Sequence, residues 1–182
     1  LLVEKLATRF YVINNIDKES RIINISFSSQ SPEDFVTGGL TTRTIEENGQ
    51  EKVIKYDPAA SSAYERAWTW GPYNNLPASG VVQRTASLDG RANVYLAPSN
   101  SGTKISVNAR YVLTVNTGGI YTAKSAFGGV VETGAMPTGS ASASFSTNEP
   151  CRVNWGTPSE PAWVVFRSTG MFEKDILSIL GL

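Results

Sequence analysis

The residues best suited to recognition stand together in Ala67-Trp68-Thr69-Trp70-Gly71-Pro72-Tyr73-Asn74-Asn75. Trp68, Trp70 and Tyr73 offer broad apolar faces with one polar edge each, and Asn74 adds an amide that both donates and accepts hydrogen bonds. Rings beside amides on one loop suit a glycan, a peptidoglycan fragment or a protein partner. The same rings equally suit a loop that folds them over the edge of its own sheet. These four residues form the site expected from sequence, a binding site for a ligand or a partner. Trp155 and Trp163, spaced around Pro158 and Pro161, pose the same choice.

Catalytic chemistry has little to work with. The chain contains no histidine, which removes Ser-His-Asp and Cys-His hydrolysis, His-ligated zinc and every histidine general base. The single cysteine, Cys151, has only Arg152 beside it as an activating charge, and one thiol makes neither an intramolecular disulfide nor a thiolate metal site. Glu46, Glu47 and Glu51 cluster near one turn with Glu33 and Asp34 nearby, and a solvated hairpin tip accounts for them without an apolar pocket to raise a carboxyl pKa. Asp17-Lys18-Glu19 lacks the spacing and the glycine of a calcium loop. Gly118-Gly119 and Gly128-Gly129 lack the ending of a phosphate-binding loop. We therefore expect no enzyme, no cofactor and no metal.

The elements that must carry these residues read mainly as strands. The chain has 182 residues, 41% hydrophobic and 18% charged, with 16 Lys plus Arg balancing 16 Asp plus Glu. That length fits one domain, and the absence of net charge argues against nucleic acid or an anionic surface as partner. No apolar run approaches the roughly 20 residues that cross a bilayer as a helix. Residues 10–27 read as a hairpin around Asp17, with Ile23, Ile25 and Phe27 on one face. Residues 40–46 and 52–56 flank the turn formers Asn48-Gly49 as a second hairpin. Residues 59–70 read as a short helix stopped by Gly71-Pro72. Residues 81–97 and 103–117 form the strongest strand pair, in which Ile105, Val107, Ala109, Tyr111, Leu113 and Val115 share a face and only Val112 breaks the alternation.

Residues 118–148, rich in Gly, Ala, Ser and Thr, are expected to form a long loop or irregular hairpin, with a strand at 140–146. Residues 162–166 read as a buried strand. Phe172, Ile176, Ile179 and Leu180 then repeat at helical spacing behind Ser168-Thr169-Gly170. At the other end, Leu2 and Leu6 imply a helix already under way at the first residue. From this an upstream segment carrying a signal or a lipid anchor is expected.

This order of elements, carried by Leu2-Val3-Glu4-Lys5-Leu6, Phe10-Tyr11-Val12-Ile13-Asn14-Asn15-Ile16-Asp17-Lys18 and Ile22-Ile23-Asn24-Ile25-Ser26-Phe27, resembles the BamC-like helix-grip domains of small Gram-negative outer-membrane lipoproteins. The closing stretch from Ser168 to Leu177 is similar to the end of such lipoproteins. Some of them carry two cysteines where this chain has Gly38 and Phe166, so no disulfide transfers. The resemblance implies a non-enzymatic envelope component at the periplasmic face of the outer membrane. It would be held by a lipid anchor outside the visible chain and dock on other envelope proteins of a secretion or membrane-assembly complex.

The expected fold is thus α+β, a single domain in which a twisted antiparallel sheet packs on an N-terminal and a C-terminal helix. Its core would comprise Val12, Ile23, Ile25, Val94, Val107, Tyr111, Leu113, Phe172, Ile176 and Leu180. A ligand- or glycan-binding module and a virion or appendage subunit are the alternative functions.

Overall fold

A computed structural model describes residues 2–7, 11–47, 50–70, 76–100, 102–155 and 162–179. Its backbone is dominated by two strands, β7 (Leu76–Ser99) and β8 (Gly102–Lys124). They pair without a break from Ala78↔Ala123 to Ser99↔Gly102. At 24 and 23 residues they run for about 75 Å at 3.3 Å per residue, far longer than an ordinary strand.

Everything else is arranged on this hairpin in two halves. The half near its turn adds β1 (Val12–Asp17) and β2 (Ile22–Ser29), which pairs with β7 from Ile22↔Tyr95 to Ser29↔Leu88. The far half adds β6 (Ser62–Trp70) on β7 and β9 (Val130–Ala135) on β8. On the same edge of β8, β10 (Gly139–Ser146) pairs with residues 110–117. A separate hairpin, β4 (Thr41–Glu47) with β5 (Gln50–Tyr56), lies beside β6. A small sheet joins β11 (Cys151–Asn154), β12 (Trp163–Ser168) and β3 (Val36–Thr37).

Strict alternation decides which face is buried. Ala86, Leu88, Ala92 and Val94 of β7 meet Ala109, Tyr111, Leu113 and Val115 of β8, with Ile23, Ile25 and Phe27 on one side and Ala143 and Phe145 on the other. This face is covered by Leu6 of α1 (Leu2–Ala7), by Phe172, Ile176 and Ile179 of α2 (Met171–Ile179), and by Val36, Val164 and Phe166. Gly90 lies opposite Phe27, and a Cβ there would sit 2.0 Å from the Phe27 ring. The ring occupies that gap and stacks on Phe172 at 4.4 Å.

Further out along the hairpin a pair of glycines brings the two long strands together. A Cβ on Gly80 would lie 2.4 Å from the Ile120 carbonyl oxygen, and one on Gly119 would lie 2.1 Å from that of Val81. Strands that approach so closely can bend and coil, and the sheet curls into a half-barrel.

The short helix α2 is tied down by its polar side as well. Tyr11 donates its hydroxyl to Asp175 at 2.5 Å, and Tyr111 donates to Glu173 at 3.0 Å. Thr147 also donates to Glu173, at 2.6 Å, while Ser168 and Thr169 accept from the first backbone N–H groups of the helix turn. Burial above all, with the Glu173 carboxylate as neighbour, holds the Tyr111 phenol well above its ordinary value of 10.0. A folded-state pKa above the unfolded one means that this contribution is complete below about pH 10 and lost as pH rises toward the folded value. In urea titrations above pH 10 the wild type is therefore expected to lose stability more steeply than Tyr111→Phe. Equal slopes would contradict this assignment.

Several expectations are corrected here. The fold is mostly β, with 69% strand and 10% helix and a curled antiparallel half-barrel, rather than an α+β helix-grip domain. Residues 62–70 form strand β6, not a helix: Tyr64, Trp68 and Thr69 are good strand formers, and the open edge of β7 supplied partners that a lone helix would have lacked. For residues 118–148 the structure takes the irregular hairpin rather than the long loop, β8 turning back as β9 with a register shift at Ala123 and Lys124, and the strand expected at 140–146 is β10. Val12 is 59% exposed, since it pairs with Ser26 on the polar face. Val107 is half-buried, and Leu180 lies outside the described residues.

Candidate docking end of the sheet

The far end of the long hairpin gathers several connections. Trp70 pairs with Leu76 where β6 meets β7, Ala78 pairs with Ala123, and Lys124 pairs with Val130 where β8 meets β9. The hairpin β4–β5 runs alongside, with Arg43 donating to the Tyr64 hydroxyl at 3.2 Å and Lys52 to the Glu65 carbonyl at 3.1 Å.

Its inner placement depends on Arg84, whose guanidinium donates to the carbonyls of Asp57 and Ala60, at 3.3 and 2.9 Å, and to that of Pro58. It lies between the rings of Tyr56 and Trp155, 5.3 and 5.7 Å from their centroids. Burial lowers the Arg84 pKa against the opposing pull of Tyr56 and Asp57. The Asp57 carboxylate in turn accepts from the Thr37 hydroxyl and from the N–H groups of Gly38 and Ala59. This knot pins the β5–β6 turn to the middle of β7.

Of the residues singled out from sequence, Trp68 is half-buried on the inner side of the curl and meets Tyr121 edge-on at 6.1 Å. Tyr121 donates to Glu132, and that bond, first of all, raises its phenol pKa. Trp68 thus packs within the curled sheet. Trp70 closes β6 at the same end. Tyr73 and Asn74 lie outside the described residues.

The outer face of this end carries what the sequence reading missed. Val81 pairs with Ile120 and Ile120 with Ala135, and Val131 follows on the same face by alternation. Ile120 is 63% exposed and Val131 54%. Beyond them the β8–β9 turn presents Phe127, fully exposed. That turn is ordered by its own hydrogen bonds: Ser125 N–H to the Gly129 carbonyl at 2.7 Å, Gly128 N–H to the Ser125 carbonyl at 2.9 Å, and Gly129 N–H to the Ser125 hydroxyl at 3.1 Å. Gly128 takes a φ of +84° to close it.

Toward the other end the same outer face is mostly polar, with Val112, Tyr95 and Val12 as exposed exceptions. Its cross-strand rows read Asn24-Asn93-Asn108, Ser26-Arg91-Arg110 and Ser87-Thr114-Ser142. Val81 of β7, Ile120 of β8 and Val131 of β9 make the far end richer in exposed aliphatic side chains. A signal for it existed in the adjacent apolar pairs Val81-Val82 and Ile120-Tyr121, which leave one member of each outside, and in a lone Phe within Ser125-Ala126-Phe127-Gly128-Gly129.

Among the described residues the remaining groups of candidates stand apart from one another. Glu46 and Glu51 stand opposite one another on β4–β5, both exposed. Cys151 is half-buried opposite Phe166. Among the described residues no three metal-ligating side chains come together, and no helix is long and apolar enough to cross a membrane. An open groove of about 460 Å³ between the β1–β2 and β7–β8 turns is lined by Ile16, Arg21, Leu96 and Thr103. Its one carboxylate, Asp17, accepts from Glu19 and Ser20 within its own turn, and the bonds from Ser20 keep its pKa low. Compared with protein-family models, curated proteins and solved structures, the chain matches none of them.

Proposed function

We propose that this chain is a non-enzymatic component of a larger assembly, which docks on another protein through the Val81, Ile120, Val131 and Phe127 end of its sheet. The observation that carries this reading is the fully exposed Phe127 on a turn tied by three hydrogen bonds. A large ring held in place loses little freedom on binding, and rings that fill a partner's pocket dominate interface energies. Aliphatic side chains exposed at the same end of the sheet, with the Thr122 and Thr133 hydroxyls between them, suit a protein surface that meets a partner. Placement at the periplasmic face of the outer membrane, with a lipid anchor outside the visible chain, belongs to the same proposal and draws its support from the resemblance of residues 2–27.

Site-specific photo-crosslinking in the source cells tests both parts. A photoreactive residue at position 127 is expected to capture one discrete partner, and the same residue at Asn93 on the polar face is not. Equal labelling from both positions, or none from 127, would refute the docking end. Fractionation with intact-mass measurement tests the anchor: an unmodified chain in the soluble fraction would remove the lipoprotein part and leave the docking part standing.

A further inference from the structure

We infer that the outer face of the sheet, centred on Arg91 and Arg110, is a binding site for a carboxylated oligosaccharide. The two arginines stand directly opposite one another on β7 and β8, and both are exposed. Like charges in such a cross-strand pair, with backbones about 5 Å apart, disfavour the folded sheet. Among the described residues neither guanidinium enters an ion pair, and Asp89, two residues along β7 on the same face, leaves both unbridged. Arg110 uses only its Nε, which donates to the Ser144 hydroxyl at 3.4 Å. Both guanidiniums therefore keep the fork of terminal N–H groups that grips a carboxylate with two hydrogen bonds. A repulsive pair set in the middle of a sheet face gains a compensating partner when an anion lies across it.

The rows beside the arginines suit the rest of a sugar chain. One row nearer the hairpin turn, Asn15, Asn24, Asn93 and Asn108 line up across β1, β2, β7 and β8, and Asn148 lengthens the row by donating to Asn108 at 3.4 Å. Four strands span about 15 Å at the usual spacing. Each amide both donates and accepts, as a sugar hydroxyl does. One row further, the Tyr95 ring is 42% exposed, and an aromatic face suits the C–H face of a pyranose.

The chemistry of this face selects the class of ligand. Two cations on a chain with no net charge are too few for a nucleic acid, which calls for a basic stripe. A protein partner would want an apolar centre, and here the centre is a pair of guanidiniums beside a row of amides. A lone small carboxylate gains little from an open sheet face, since small ligands bind where they are enclosed. An extended chain of sugars makes many contacts at once, with its hydroxyls on the amides and a carboxylate on the arginine pair. The site lies on the half of the sheet near the hairpin turn, so it is independent of the docking end. A saccharide bound there leaves the protein-capture control at Asn93 as stated.

Calorimetric titration of the full chain with oligogalacturonate and with oligomannuronate is expected to show saturable binding of at least one of them. The methyl esters, which keep the sugars and lose the charge, should bind roughly tenfold more weakly. Arg91→Gln and Arg110→Gln should each weaken binding by about the same factor while the urea midpoint holds or rises, because one side of the repulsion is gone. Tyr95→Ala should weaken binding less, and Phe127→Ser should bind the acids as the wild type does. Failure of both acids to bind, esters that bind as well as the acids, or Gln variants that bind as the wild type does would each overturn the inference. A lower urea midpoint in Arg91→Gln would also overturn it, by making the pair a prop of the fold. Duplex DNA bound more tightly than either acid, through the same two arginines, would assign the face to nucleic acid instead.

Discussion

Phe172→Ala is expected to lower the stability of the domain by about 3–5 kcal/mol, the range for deleting a buried aromatic ring. The ring has no exposed surface. It stacks on Phe27 and meets Tyr11, Phe35 and Tyr111 edge-on, at centroid distances of 5.6 to 6.5 Å. Its helix has nine residues, too few to hold together without tertiary contacts. Removing the ring therefore opens a cavity and also frees the helix whose Glu173 and Asp175 satisfy Tyr111 and Tyr11. Small domains have only about 5–15 kcal/mol to lose, so the variant should unfold at much lower urea. Met171→Ala on the exposed side of the same helix is the control and should change stability by less than about 0.5 kcal/mol. A loss below about 1 kcal/mol for Phe172→Ala would mean that α2 does not cover the sheet as described.

Phe127→Ser should behave in the opposite way, changing binding and leaving stability alone. A ring with full solvent exposure contributes nothing to the core, so the melting temperature and urea midpoint should stay where they are. If the ring fills a pocket on the partner captured at position 127, its loss should cost roughly 2 kcal/mol or more, or about a thirtyfold weakening. Ile120→Ser, further in along β8 where it pairs with Ala135, should give a smaller loss in the same direction. Affinity that is unchanged in Phe127→Ser would refute the docking end. A large drop in stability would refute the geometry of the turn.

The alternation from Ile105 to Val115 was legible without coordinates because a strand with one wet face leaves a period of two, and these residues divide as that period requires. The helix at Phe172, Ile176 and Ile179 was legible for the corresponding reason. Residues 62–70 were not, because their strand character is realised only once the edge of β7 is there to pair with. The same holds for Gly118 to Ala123, where Gly118-Gly119 weaken the strand signal and the ladder runs through the backbone. Val12 shows how fine the margin is, since a shift of one position turns a side chain from the core to water. As for the site, the rings chosen at Trp68 and Trp70 do belong to the end of the molecule proposed to dock. Trp68 itself packs inward on Tyr121, however, and among the described residues of that end the fully exposed ring is Phe127, about 60 residues further along the chain.

What the sequence determined by itself is local or compositional. The absence of histidine excludes whole classes of catalysis, and alternation assigns inner and outer residues along the central strands. Helical spacing sets the apolar stripe of α2. Only the tertiary structure decided that the sheet curls, that Gly80 and Gly119 let its two long strands touch, and that β6, β9 and β10 complete it, giving a mostly β fold in place of a helix-grip. The reason is that strand pairing and exposure are properties of residues far apart in the chain. Val81 and Ile120 become neighbours only when the register sets them side by side, and the exposure of Phe127 is fixed only by the turn that carries it.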